Sequence, residues 1–91
     1  MDKYDVLFKG IREIINKYDP INLVSGGAPE DEYDGEVIKI IKLLPENKEK
    51  LRNDIYKIFI NSFNQETAGD RQVYDSIAGE VFQRYASFFK Q

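Results

Sequence analysis

Apolar residues recur at steps of three and four along most of this chain, a spacing that places them on one face of an α-helix. The first helix is predicted over residues 3–18, with these apolar positions: Tyr4, Leu7, Phe8, Ile11, Ile14, Ile15 and Tyr18. Asp2 is expected to cap its first turn. Gly10 weakens a helix interior, so we expect it to allow close packing against a neighbour. Pro20 ends the helix, because the residue before a proline avoids the α conformation.

A second helix is predicted over residues 35–44, with Asp34 as its N-cap and Pro45 as its stop. Lys39 and Lys42 are the clearly polar positions among its later residues. The apolar positions are Val37, Ile38, Ile40, Ile41, Leu43 and Leu44. An apolar face this wide predicts a central helix that is buried on more than one side.

The rest of the chain predicts two more helices. Asn47 is expected to cap a helix over residues 48–63, and a turn over 64–69 leads into a last helix over 70–90. No stretch alternates between apolar and polar residues for long enough to predict a strand. The prediction is therefore an all-α fold, a compact four-helix bundle in a single domain over residues 1–91.

A long loop over residues 19–34 joins the first two predicted helices. Loops of this length inside small domains are usually functional or disordered. Ile21, Leu23 and Val24 are expected to pack it back onto the core. Residues 19–38 contain no basic residue and six acidic ones: Asp19, Glu30, Asp31, Glu32, Asp34 and Glu36. This acidic loop carries the least ordinary chemistry of the sequence.

Two residue types are missing from the composition, and their absence excludes several kinds of chemistry. The 91 residues include no cysteine and no histidine. There is therefore no thiolate nucleophile, no disulfide and no ordinary zinc site, and no histidine to activate a hydroxyl nucleophile. We accordingly expect no cofactor and no enzymatic activity.

Charge and hydropathy limit the partners and the location. The net charge of −3, concentrated in one loop, should repel nucleic acid, whose binding depends on neutralising phosphates. No apolar run approaches the length of about 20 residues that spans a membrane, so no membrane association is expected. The N-terminal residues lack the apolar core of a secretory signal, which favours a cytoplasmic location.

Several roles remain open for the acidic loop. An EF-hand register with Gly35 at its sixth position would place Ile41, which cannot bind calcium, at the twelfth. A looser Mg²⁺ or Ca²⁺ site that includes Asp19 is one alternative. A helix cap at Asp34 with solvated neighbours is a second, and recognition of a basic protein surface is a third.

The stretch DPINLVSGGAPEDEYDGEV, at residues 19–37, resembles the YugE-like family of small bacterial helical proteins of unknown function. The family pattern is an aromatic residue with DPI, a short spacer, GAP, and EDEYD ahead of a helix. The chain departs from it at Tyr18, Asn22 and Gly35, where the pattern has Trp, Gly, and Pro or another helix-opening residue. The resemblance implies a helical fold over the whole chain and no established activity.

These observations lead to one functional prediction and one alternative. We expect a non-enzymatic protein-interaction module whose acidic loop binds a basic protein partner, in its most concrete form a toxin-immunity protein. Tyr33 is predicted to be the aromatic anchor of this surface. The predicted partner-binding residues are Glu30, Asp31, Glu32, Tyr33 and Asp34. The alternative is a divalent-cation or small-molecule site built from the same carboxylates.

The oligomeric state is predicted as a monomer or a weak homodimer. Phe88 and Phe89 lie near the end of the last helix, where an aromatic pair on the surface would suit a second copy. Such an aromatic stripe is more often part of the core, where these side chains would extend the apolar face of that helix. The residues alone leave both arrangements open.

Overall fold

Five α-helices make up the described part of the protein. The computed structural model describes residues 3–44 and 47–89, with the backbone alone at Lys48 and Phe89. In chain order the helices are α1 (Lys3–Tyr18), α2 (Asp34–Leu43), α3 (Lys48–Phe63), α4 (Gln65–Ala68) and α5 (Arg71–Phe89). Those two ranges contain no strand, which confirms the all-α prediction. None of these five helices is long and apolar enough to cross a membrane.

The predicted count of four helices is wrong, because the turn before the last helix contains the short helix α4. Asn64 caps α4 by accepting a hydrogen bond from the Thr67 backbone N–H at 2.8 Å. Gly69 closes it with φ +80°, a conformation that glycine adopts without steric cost. The Tyr74 hydroxyl of α5 donates to the Ala68 carbonyl at 2.5 Å, which fixes α4 against α5.

An aromatic cluster lies at the centre of the core. The rings of Tyr33 and Phe59 have centroids 6.0 Å apart, and those of Phe59 and Tyr74 are 5.2 Å apart. All three side chains are fully buried. Burying one such ring contributes about 2 to 3 kcal/mol. Tyr33 belongs to the loop before α2, so the core extends into the connection between α1 and α2.

Helix α2 is less buried than its wide apolar face predicts. Val37 and Ile40 are fully buried, whereas Ile38 remains 38% exposed. Its N-cap position is Tyr33, whose side chain makes no capping hydrogen bond, and Asp34 is the first helical residue. The prediction of an Asp34 cap is therefore wrong. The prediction of a helix buried on more than one side holds where α2 packs against α1 and α3, but not at Ile38.

The other helix ends agree with the sequence where they can be compared. Asn47 caps α3 by accepting a hydrogen bond from the Lys50 backbone N–H at 2.9 Å, as predicted. Helix α1 ends two residues before Pro20. The predicted cap at Asp2 and the predicted stop at Pro45 lie outside the described residues.

Helices α1 and α5 are joined by polar contacts. Lys17 Nζ lies 2.5 Å from Glu80 Oε1, and the Tyr18 hydroxyl donates to Glu80 Oε2. The Lys17 and Tyr18 hydrogen bonds lower the pKa of Glu80. A Cβ at Gly10 would lie 2.5 Å from Arg84 Nη1, so the predicted close packing at this glycine is confirmed.

The aromatic residues near the end of α5 turn partly inward. Phe88 and Tyr85 are half-buried and pack against the core. The side chain of Phe89 lies outside the described residues. Of the predicted aromatic pair, Phe88 is therefore a core-facing residue.

Candidate functional site

The acidic loop presents three carboxylates to solvent. Glu30, Asp31 and Glu32 are exposed and belong to overlapping turns, in which Glu32 N donates to Pro29 O and Asp34 N donates to Asp31 O. Their side chains make no hydrogen bond or ion pair with any residue that the structure describes. We call these three residues the acidic turn.

Asp19 and Tyr33 close the loop at its two ends. The Tyr33 hydroxyl donates to Asp19 Oδ1 at 2.7 Å. The same hydroxyl oxygen accepts hydrogen bonds from the backbone N–H groups of Ile21 at 3.1 Å and Leu23 at 3.4 Å. The Asp19 carboxylate also accepts from the backbone N–H groups after Leu23, at distances of 3.0 and 2.9 Å. The Asp19 carboxylate and the Tyr33 hydroxyl together therefore accept hydrogen bonds from four backbone N–H groups of the loop.

These hydrogen bonds change the pKa of both side chains. Burial of the Asp19 carboxylate opposes its ionisation, but hydrogen bonds from Tyr33 and from Ser25 and Val24 outweigh that effect and lower the pKa of Asp19 to about 2. Burial, together with donation to Asp19, raises the pKa of Tyr33 to about 12. The pair is therefore ionised at Asp19 and neutral at Tyr33 at neutral pH.

The loop backbone adopts two left-handed conformations at residues other than glycine. Asp19 has φ +46° and Asn22 has φ +59°. Asp and Asn tolerate this region because their short polar side chains bond locally. Ala28 N donates to Leu23 O at 2.8 Å, which closes the intervening turn. These bonds give residues 19–28 a defined shape.

Helix α1 holds the acidic turn from its other side. Arg12 makes a bidentate ion pair with Asp34, with Nε 2.9 Å from Oδ1 and Nη2 2.5 Å from Oδ2. The hydrogen bond to Asp34 raises the pKa of Arg12, and the charges of Asp31 and Glu30 add to this. Asn16 Nδ2 donates to the Glu30 carbonyl at 2.9 Å. Two side chains of α1 thus fix the backbone that carries the exposed carboxylates.

Glu36 is the last of the six acidic residues between positions 19 and 38. It is half-buried in the first turn of α2 and accepts a hydrogen bond from the Ser62 hydroxyl at 3.4 Å. Burial raises the pKa of Glu36, and the nearby charge of Glu32 raises it further. Glu32 therefore lies close to the start of α2.

The predicted partner-binding residues divide into two sets. Glu30, Asp31 and Glu32 are exposed, as a binding surface requires. Tyr33 is 0% exposed, so the prediction that it anchors a partner is wrong. Its ring fills the core, and its hydroxyl is used by Asp19. Asp34 is 25% exposed and is paired with Arg12, which corrects its predicted role as a free contact.

Sequence reasoning missed the residues that support the acidic turn. Arg12 and Asn16 lie one turn apart on α1, 22 and 14 positions before the residues that they contact, and no local pattern marks them. The sequence suggests Asp19 as a possible cation ligand. In the structure its carboxylate instead accepts three hydrogen bonds from groups of the loop. Among the described residues, no group of three or more His, Cys, Asp or Glu side chains could hold a metal ion.

Comparison with protein-family models, with curated proteins and with solved structures gives no match to this chain. The resemblance of residues 19–37 to the YugE-like family therefore stays a prediction from the residues themselves. The candidate site is defined by its geometry alone.

Proposed function

We propose that this chain is a non-enzymatic protein-interaction module whose acidic turn binds a basic protein partner. The observation that supports it most directly is the exposure of three adjacent carboxylates on a backbone held from two sides. Clustered like charge creates a local field that attracts an oppositely charged surface and excludes others. Asp34 and Tyr33 act as supports in this proposal and do not contact the partner.

The support of the turn matters because ordering a loop on binding costs free energy. Asn16 and the Arg12–Asp34 pair hold the turn from α1, and Asp19 with Tyr33 holds the preceding loop. Fixing the backbone of one residue costs about 1 to 2 kcal/mol of conformational entropy, so a turn whose backbone is already ordered avoids part of the cost of binding. The backbone that carries the carboxylates is then already in place before the partner arrives.

A toxin-immunity role is the most concrete version of this function. In such a role the carboxylates of Glu30, Asp31 and Glu32 would take the place of substrate phosphates in a cationic cleft. Exposed charges of this kind contribute mainly to the association rate and to its salt dependence. The partner is therefore expected to be rich in Lys and Arg and to associate more slowly at high salt.

A charge-reversal capture experiment tests the proposal. The bait carries Glu30→Lys, Asp31→Lys and Glu32→Lys and is compared with the wild-type chain by quantitative mass spectrometry of the captured proteins. The matched control carries the same charge change at three exposed residues elsewhere: Glu13→Lys, Glu49→Lys and Glu66→Lys. Thermal melts of all baits confirm that each is folded.

The expected result is a basic protein that the wild type and the control capture and the acidic-turn variant does not. Its association rate should fall as salt is raised. Capture of the same proteins by the acidic-turn variant would contradict the proposal, because the carboxylates would then be dispensable.

A further inference from the structure

A groove of about 260 Å³ lies on the surface between α1 and α5. Ile14 of α1, which is 4% exposed, supplies the apolar part of its lining. The other lining residues belong to α5 and are Glu80, Gln83, Arg84 and Ser87. Drug-sized ligands occupy cavities of about 300 to 1,000 Å³, so the groove suits a smaller molecule. None of its residues belongs to the acidic turn.

The Arg84 side chain lies flat against α1 at Gly10. A Cβ added at Gly10 would lie 2.5 Å from Arg84 Nη1 and 3.4 Å from both Cγ and Cδ. The arginine therefore follows the α1 surface from its Cγ to its guanidinium group. Any residue other than glycine at this position would push the guanidinium away, because its Cβ would occupy the same space. Gly10 thus fixes where the positive charge of Arg84 lies in the groove.

The guanidinium of Arg84 has five N–H donors and no protein acceptor for them. Arg84 makes no hydrogen bond and no ion pair with any residue that the structure describes. The nearest carboxylate of the groove, that of Glu80, is bonded instead to Lys17 and to the Tyr18 hydroxyl. Since the charge of Lys17 balances that of Glu80, Arg84 leaves one positive charge in the groove without a counter-charge.

This arrangement lowers the stability of α1. Glycine inside a helix is less favourable than alanine, because its backbone loses more conformational freedom on folding. The position that Gly10 opens for Arg84 brings no hydrogen bond or ion pair with a described residue to offset that loss. Departures of this kind from local preference are typical of functional sites. The pairing of Gly10 with Arg84 therefore indicates a site for an anion.

We propose that the groove binds a small monocarboxylate, and that Arg84 pairs with its carboxylate group. A guanidinium presents its N–H donors in a planar fork that matches the two oxygens of a carboxylate. Ser87 follows Gln83 and Arg84 at steps of four and three, so the three side chains share one face of α5. The Gln83 amide and the Ser87 hydroxyl can donate further hydrogen bonds. A short apolar chain on the ligand would contact Ile14.

The charges around the groove favour a ligand with one negative charge over a ligand with two. Arg84 can balance one negative charge. A second would be repelled by Glu80 and by the exposed Glu13, which lines an adjoining hollow together with Lys17. The ligand is therefore a carboxylate rather than a phosphate, whose charge exceeds one at neutral pH.

Titration of the ¹⁵N-labelled chain with butyrate, followed by NMR at constant ionic strength, tests the proposal. The Nε–H signal of Arg84 and the backbone amides of Gln83 and Ser87 should shift and saturate. A Kd of about 1 to 10 mM is expected for so small a ligand. Butyramide has a similar shape without the charge, and inorganic phosphate has more charge without the apolar chain. Both should bind at least about tenfold more weakly than butyrate.

Two pairs of variants separate a binding role of Arg84 from a structural one. Arg84→Gln should bind butyrate at least about tenfold more weakly. Arg71→Gln makes the same change at another exposed arginine of α5 and should bind like the wild type. Gly10→Ala should melt at a higher temperature but bind butyrate more weakly, because its Cβ displaces the Arg84 guanidinium. Gly35→Ala, where a Cβ meets nothing within 4 Å, should melt higher and bind like the wild type.

Three results would overturn the inference. The first is a wild-type chain whose signals do not saturate with butyrate. The second is an equal butyrate affinity in the wild type and in Arg84→Gln, which would show that Arg84 is a solvated surface arginine. The third is butyramide or phosphate binding as tightly as butyrate, which would contradict the charge assigned to the ligand. None of these results concerns the acidic turn, so this inference and the proposed function can fail separately.

Discussion

Replacing Tyr33 by Phe removes one oxygen atom and leaves the ring in the core. That oxygen donates to Asp19 Oδ1 at 2.7 Å and accepts from the N–H groups of Ile21 and Leu23. A hydrogen bond to a charged group contributes about 1.5 to 3 kcal/mol, and the two amides lose their acceptor as well. We expect Tyr33→Phe to lower the free energy of unfolding by about 2 to 3 kcal/mol, which corresponds to a Tm decrease of about 10 °C or more.

The same substitution should change the pH dependence of stability. The pKa of Asp19 is about 2 in the folded protein, below its ordinary value of 3.8. Because the folded pKa is the lower one, its contribution to stability is fully present above about pH 4 and is lost as the pH falls toward 2. The full difference is worth roughly 2 kcal/mol. In Tyr33→Phe the pKa of Asp19 should rise, and this acid-sensitive contribution should shrink.

Urea unfolding followed by circular dichroism, repeated between pH 7 and pH 2, measures both effects. Tyr56→Phe is the matched control, because the Tyr56 ring also packs in the aromatic cluster while its hydroxyl makes no hydrogen bond to a described residue. The free energy of unfolding of the control should stay within about 0.5 kcal/mol of the wild-type value. Equal losses in the two variants, or an unchanged carboxyl pKa of Asp19 by NMR, would refute the reasoning.

Three more predictions concern single contacts, each measured by thermal or urea unfolding. Asp34→Ala should cost about 1 kcal/mol by removing the partner of Arg12, and raising the salt concentration should reduce this loss; a loss that salt leaves unchanged would contradict the ion pair. Asn47→Ala should cost about 1 kcal/mol through the lost cap of α3, and no loss would contradict that cap. Gly10→Ala should stabilise the protein by up to about 1 kcal/mol, since only the tip of Arg84 must move; a marked loss would show that Arg84 cannot yield.

The helical fold follows from local sequence, and the remaining differences have tertiary causes. The three- and four-residue spacing predicts α1, α2, α3 and α5 because each is long enough to show the period. Helix α4 is a single turn, too short for any period, and depends on the Asn64 cap and on Tyr74 of α5. The exposure of Ile38 could not be predicted, because an apolar pattern does not say which neighbours cover it.

The sequence predicts only the exposed part of the candidate site. Closely spaced charged residues of one sign are seldom buried, and Glu30, Asp31 and Glu32 are indeed exposed. Tyr33 stands within the same run, yet its ring is buried because Phe59 of α3 supplies an apolar neighbour from far along the chain. The pairing of Asp34 with Arg12 spans 22 positions and has no local signal.

The most direct test of the central claim is the backbone order of the acidic turn in solution. ¹⁵N relaxation gives an order parameter for each amide on the picosecond-to-nanosecond timescale. If Asp19, Tyr33 and α1 hold the loop, the backbone amides of the acidic turn should have order parameters of about 0.85, as in the helices. Values below about 0.6 at these residues would contradict the account, since the backbone of the acidic turn would then not be held in one conformation.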